Sequence, residues 1–163
     1  MTQTQSPPPR NAAEQATLEN ELILLFEQRI SFNQVLGLKV LSVRPGDVRG
    51  RIAMRPELVG HFLYGRLHGG VISATLDAMG GLALMVGIAE RHPGDSAQQV
   101  MHRFSRMGTI DLRIDYLRPG IGQHFIASAE VTRLGGRVGS VQMRLVNDEG
   151  TLIATGAGAY IIS

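Results

Sequence analysis

The feature that most constrains this chain is a run of 21 residues, Gly69 to Ala89, with a single charge, Asp77, among residues otherwise small or apolar. A helix apolar on all sides must be buried, in a protein core or in a bilayer. The run is long enough to cross a membrane. A carboxylate at its centre is expensive there, however, and Gly and Ser dilute its hydrophobicity. The run is therefore expected to be a core helix, with no membrane insertion. Ionised carboxylates are seldom fully buried unless paired, and no residue within a helical turn of Asp77 offers a compensating charge. A group outside the helix, or a chemical purpose, must account for it.

What could bury such a helix follows from the rest of the chain. At 163 residues it reads as one domain, long enough for its own core. Residues 1–11, with Pro7-Pro8-Pro9, offer nothing to bury and read as a disordered leader, leaving 12–163 as the folded unit. Leu18, Leu22, Leu25 and Phe26 recur at helical spacing, and a second short helical piece at 32–36 stops at Gly37, so 12–36 is an N-terminal helical segment. The sheet and the central helix then occupy 37–162. Residues 38–44 and 48–54 flank Pro45-Gly46-Asp47 as a hairpin. After the apolar helix, 90–108 reads as a polar loop. The period then changes to two: Ile110, Leu112, Ile114 and Tyr116 alternate with Asp111, Arg113 and Asp115. Three further strands follow, punctuated by Leu134-Gly135-Gly136 and Asn147-Asp148-Glu149-Gly150.

Hairpin-length turns make the sheet antiparallel. One apolar helix and several amphipathic strands have one economical arrangement, an antiparallel sheet wrapped around the helix. This is the α+β hotdog fold.

The chemistry is narrowed by exclusion. There are no cysteines, which removes disulfides, thiolate metal sites and Cys nucleophiles, and is compatible with a cytoplasmic setting. A net charge of +2 gives no reason to expect a nucleic-acid partner. The histidines lack metal-ligand spacing, and Ser105 and Ser140 lack a nucleophile-elbow context, so neither a metal nor a cofactor is expected. By contrast, Gly69 and Gly70 at a helix start offer unobstructed N–H groups on the positive end of the dipole. Such donors suit a carbonyl that gains negative charge during acyl transfer. Asp77 lies eight residues further, about 12 Å along the axis, too far for one substrate carbon to touch both. If they cooperate, the aspartate must come from a second, antiparallel copy of the helix. That implies a homodimer with two shared sites, alone or as a dimer of dimers. His68, just before the helix, reads as an acid–base group or as a residue fixing the loop, with the second favoured.

The segment Leu67-His68-Gly69-Gly70 with Asp77 nine residues after the histidine, followed by Thr109-Ile110-Asp111-Leu112-Arg113-Ile114-Asp115-Tyr116-Leu117-Arg118-Pro119, resembles the hotdog-fold thioesterases of the PaaI type. In element order the resemblance covers roughly residues 37 to 162. It implies an acyl-CoA thioesterase in which the Gly69 N–H polarises the thioester carbonyl, Asp77 is base or nucleophile, and Thr109 helps hold the attacking water. It also places Arg118 and Arg137 where coenzyme A phosphates lie in similar proteins, a contact for which Arg is well suited. Related enzymes often carry Asn six residues before the motif histidine. Here that position is Phe62, so either His61 or a side chain of the 90–108 loop supplies the polar group, or the group is missing. With few aromatics in the helix, the acyl group is expected to be aliphatic, of medium or long chain, backed by Met79, Leu82, Met85 and Val86. Two other readings stand beside this one: a hydratase or dehydratase on the same fold, pairing His68 with Asp77, and a non-catalytic acyl-CoA-binding module.

Overall fold

The computed structural model describes residues 8–163. Two helices come first, α1 (Ala12–Leu24) and α2 (Ser31–Leu36), joined by a π-helical turn, Leu25–Arg29. The Asn11 side chain caps α1 by accepting the Glu14 N–H at 2.9 Å. Leu18, Leu22 and Phe26 form its buried stripe. The span 12–36 is thus helical but bent, because Ile30 is extended between the π turn and α2. α2 ends at Gly37, whose φ of 69° is the left-handed value that glycine adopts without a Cβ penalty.

Eight strands follow: β1 (Lys39–Arg44), β2 (Asp47–Ala53), β3 (Val59–His61), β4 (Arg66–Leu67), β5 (Gly108–Tyr116), β6 (His124–Leu134), β7 (Val138–Asn147) and β8 (Leu152–Ile161). Six form one antiparallel sheet in the order β1-β2-β6-β7-β8-β5, and β3 and β4 pair separately. The hairpins β1–β2, β6–β7 and β7–β8 lie where the Gly-containing turns place them. β5 lies at the sheet's free edge beyond β8.

The apolar run is α3 (Gly69–Arg91). By length and composition it could cross a membrane, but in this fold the sheet covers most of it. Leu76, Met79, Leu82 and Leu84 are fully enclosed among side chains such as Phe125, Met143 and Leu145. Enclosure is not complete, however. Ala74, Asp77, Ala78 and Gly81, spaced three and four apart, form a partly exposed face.

Two expectations need correction. The segment 90–108 is not an irregular loop: after α3 ends it folds into α4 (Ala97–Arg103) and a 3-10 turn, Phe104–Arg106. Ser96 and Gln99 form a reciprocal capping box, and Ala97, Val100 and Phe104 are buried. The cause is a dock for this helix on α1, sealed by the Ala97 N–H donating to Glu14 Oε1 at 2.8 Å. The expected leader also divides. Residues 1–7 lie outside the described residues, whereas Arg10 is held in place. Its guanidinium donates to the carbonyls of Ala89, His92 and Asp95 at 2.7, 2.7 and 3.0 Å, closing the C-terminal end of α3, where unpaired carbonyls collect.

Candidate active site

The start of α3 is built by its cap. His68 is extended, and its Nδ1 accepts the Gly70 N–H at 2.8 Å. An accepting Nδ1 carries no proton, so the ring serves here as a cap that fixes the loop. Gly70, expected to offer a free donor, therefore does not. The N–H groups of Val71 and Ile72 go to the His68 carbonyl. That leaves the Gly69 N–H without a partner among the described residues, at the positive end of a 23-residue helix. The Tyr116 hydroxyl donates to the Gly69 carbonyl at 3.1 Å, and its ring lies 3.3 Å from where a Cβ on Gly69 would stand.

Two turns along α3, Asp77 occupies the partly exposed face. Its charge is met by hydroxyls, not by a cation. Thr109, from β5, donates to Oδ1 at 2.8 Å. Tyr160, from β8, donates to the same oxygen at 3.0 Å and lies 3.1 Å from the Asp77 carbonyl. Ser73, one turn before Asp77, donates to Gly70 O at 3.1 Å and not to the carboxylate. Tyr160 is buried, and this burial, reinforced by the neighbouring carboxylate, raises its ionisation well above the ordinary tyrosine range. It remains a neutral donor. Sequence reasoning missed it, since Tyr160 sits in an apolar strand beside no motif. The one available signal was that a buried tyrosine needs a partner for its hydroxyl.

These three residues form the polar end of a cavity of about 290 Å³. Phe26, Ile30 and Phe32 supply one wall from the N-terminal helical segment, while Met85 and Met107 extend the lining along α3 and before β5. Of the residues expected to back an acyl chain, Met85 lines this cavity, whereas Met79, Leu82 and Val86 are core. A largely apolar space with a carboxylate in its wall suits an aliphatic chain that carries an electrophilic head.

The remaining candidates lie elsewhere in the single chain. His61, the last residue of β3, and Phe62, just after it, are exposed; the His61 and Tyr64 rings are 4.8 Å apart and the guanidinium of Arg66, from β4, covers Tyr64. Arg118 donates to the Leu152 carbonyl at 3.0 Å beside a separate cavity, and Arg137 is exposed in the β6–β7 turn. Asp77 and Thr109 are brought together; the start of α3 stays about 12 Å from Asp77 along the helix axis. Among the described residues, no three His, Asp or Glu side chains cluster as a metal site would require.

Comparisons with known proteins bear on the family and the fold. The sequence profile described as the Thioesterase superfamily matches residues 64–154. The medium/long-chain acyl-CoA thioesterase YigI of Escherichia coli K12 is 36% identical over 138 residues, which cover 85% of this chain and 89% of that one. A crystal structure from Shewanella oneidensis, described as related to the thioesterase superfamily, superposes with a TM-score of 0.86 at 36% identity, covering 94% of this chain and all of that one. The Escherichia coli PaaI protein shares the fold, with a TM-score of 0.70 at 17% identity over 90% of this chain and 94% of its own.

Proposed function

The chain belongs to the thioesterase superfamily, and from that premise we propose that it hydrolyses medium- or long-chain acyl-CoA to the free acid and coenzyme A. The carrying observation is the Asp77 carboxylate, held by Thr109 and Tyr160 at the polar end of the apolar cavity. The acyl chain lies in that cavity. Asp77 drives attack by water on the thioester carbon; the water oxygen stays with the acid, the C–S bond breaks and the thiol takes up a proton. The Gly69 N–H stabilises the carbonyl oxygen as it becomes negative. Thr109 orders the water and the carboxylate, and His68 holds the Gly69 turn.

Because both groups cannot reach one carbon along a single helix, Gly69 of one copy works with Asp77 of a second. The unpaired edge of β5 and the small-residue face of α3 support this two-copy arrangement. In it, Phe62 and His61 project toward the second copy, and either Arg118 or Arg137, which lie against opposite ends of β8, meets the coenzyme A phosphates. A hydratase would use His68 of one copy beside Asp77 of the other; against that role, His68 Nδ1 is taken up by the Gly70 N–H as a helix cap.

The test is thiol release from acyl-CoAs of graded chain length, for the wild type beside Asp77→Ala. The expected result is turnover that peaks at medium or long chains and falls by at least about a thousandfold in the variant, the scale of losing an acid–base group together with its positioning. A wild type that binds acyl-CoA and releases no thiol overturns the reading in favour of a binding module.

A further inference from the structure

One oxygen of the Asp77 carboxylate is used twice and the other not at all. The hydroxyls of Thr109 and Tyr160 both donate to Oδ1, at 2.8 and 3.0 Å, while Oδ2 receives no hydrogen bond among the described residues. Resting on the thioester-hydrolase reading above, we propose that Tyr160 is a positioning residue which, together with Thr109, saturates Oδ1 and leaves Oδ2 as the oxygen that acts on the reacting atoms.

Three observations carry this. Two O–H donors fill the lone-pair directions of one carboxylate oxygen, and they come from different strands, β5 and β8. The carboxylate plane is thereby held, with one oxygen engaged by both donors and the other left free. Second, Tyr160 meets the carboxylate oxygen as the donor, because it is enclosed and stays protonated at physiological pH. Third, the chain makes room for the phenol at a cost. A Cβ on Gly80 would stand 2.4 Å from the Tyr160 hydroxyl, and one on Gly158 would stand 2.9 Å from its ring. Glycine within a helix or strand is unfavourable, yet two of them shape the slot through which the ring passes under α3 to reach Asp77.

The consequence for the reaction is definite. Oδ2 takes the proton of the attacking water as the water oxygen bonds to the acyl carbon. When the C–S bond breaks, that proton passes to the leaving sulfur. Both transfers need one lone pair free and held in a constant direction.

The closing experiment is Tyr160→Phe, which removes one oxygen atom and keeps the ring. Steady-state kinetics on the acyl-CoA that the wild type prefers are expected to show kcat lower by about 10- to 100-fold, the range for a lost hydrogen bond to a charged group, with KM within about twofold. A fall in kcat at nearly constant KM is the readout that a merely structural role for the phenol would not give. Unchanged kcat overturns the inference, while an inactive wild type overturns the thioesterase reading instead. A measurement without turnover guards against a misfolded variant. The chain has three tyrosines and no tryptophan, so ultraviolet titration of the wild type should show one phenol resisting ionisation, and Asp77→Asn should release it toward lower pH. Coincident curves for the two proteins sink the proposal.

Discussion

At the scale of single residues, Gly80 shows two effects in competition. Alanine would favour the helix by about 1 kcal/mol. Its Cβ, however, would meet the Tyr160 hydroxyl at 2.4 Å, Met143 Sδ at 2.9 Å and Val141 Cγ2 at 3.0 Å. Forcing atoms into a packed core costs about 1–3 kcal/mol, so crowding outweighs propensity. Gly80→Ala is expected to lower the urea midpoint of unfolding; a raised midpoint would mean that the ring and the thioether yield freely. Asp77 makes a related point. Its isolation in the apolar run marked it in the sequence, and the structure places it beside Thr109, which the TIDLRIDYLRP segment also marked. Tyr160 completes the group from 83 residues away, a distance across which no local pattern speaks.

At the scale of elements, α4 was legible in part. Ser96 followed by Gln99 is a capping-box pattern, and Ala97, Val100 and Phe104 are spaced as a buried helical stripe. Short length and flanking glycine and proline hid it. Its stability rests on the cap and on docking against α1, not on intrinsic propensity. Ser96→Ala should therefore cost about 1 kcal/mol, seen as a lower Tm, with thiol release per folded molecule retained because Ser96 lies outside the Asp77 cavity. A Tm equal to that of the wild type would show that the Glu14 and Arg10 contacts hold the segment alone. The long elements were easier to read. α3 and the strands β5 to β8 carry an unbroken apolar run or a period of two, and each lies within a few residues of its expected span.

At the scale of the whole molecule, the question is how many copies make a site. β5 has nine residues, with Ile110 at 58% exposure, and presents an edge without a neighbour. Edges of that length are templates for pairing unless charge or a partner blunts them. Under the proposed two-copy site, Ile110→Asp should shift light-scattering mass toward the monomer and reduce turnover in step with the lost dimer. A monomer that keeps full turnover would refute the shared site.

The architecture followed from the sequence because burial is imposed by composition and period. A helix with no polar face must be enclosed, and strands with one apolar face must enclose something. The same reasoning marked Asp77, since a lone carboxylate in such a helix is costly without a function or a partner. Tertiary structure decided what depends on convergence in space. It decided that Oδ1 is held by hydroxyls from two strands, that His68 occupies the Gly70 N–H and leaves that of Gly69, and that the N-terminal helical segment walls the cavity. Those are directional contacts between residues far apart in the chain, and direction is a property of the folded backbone that periodicity does not carry.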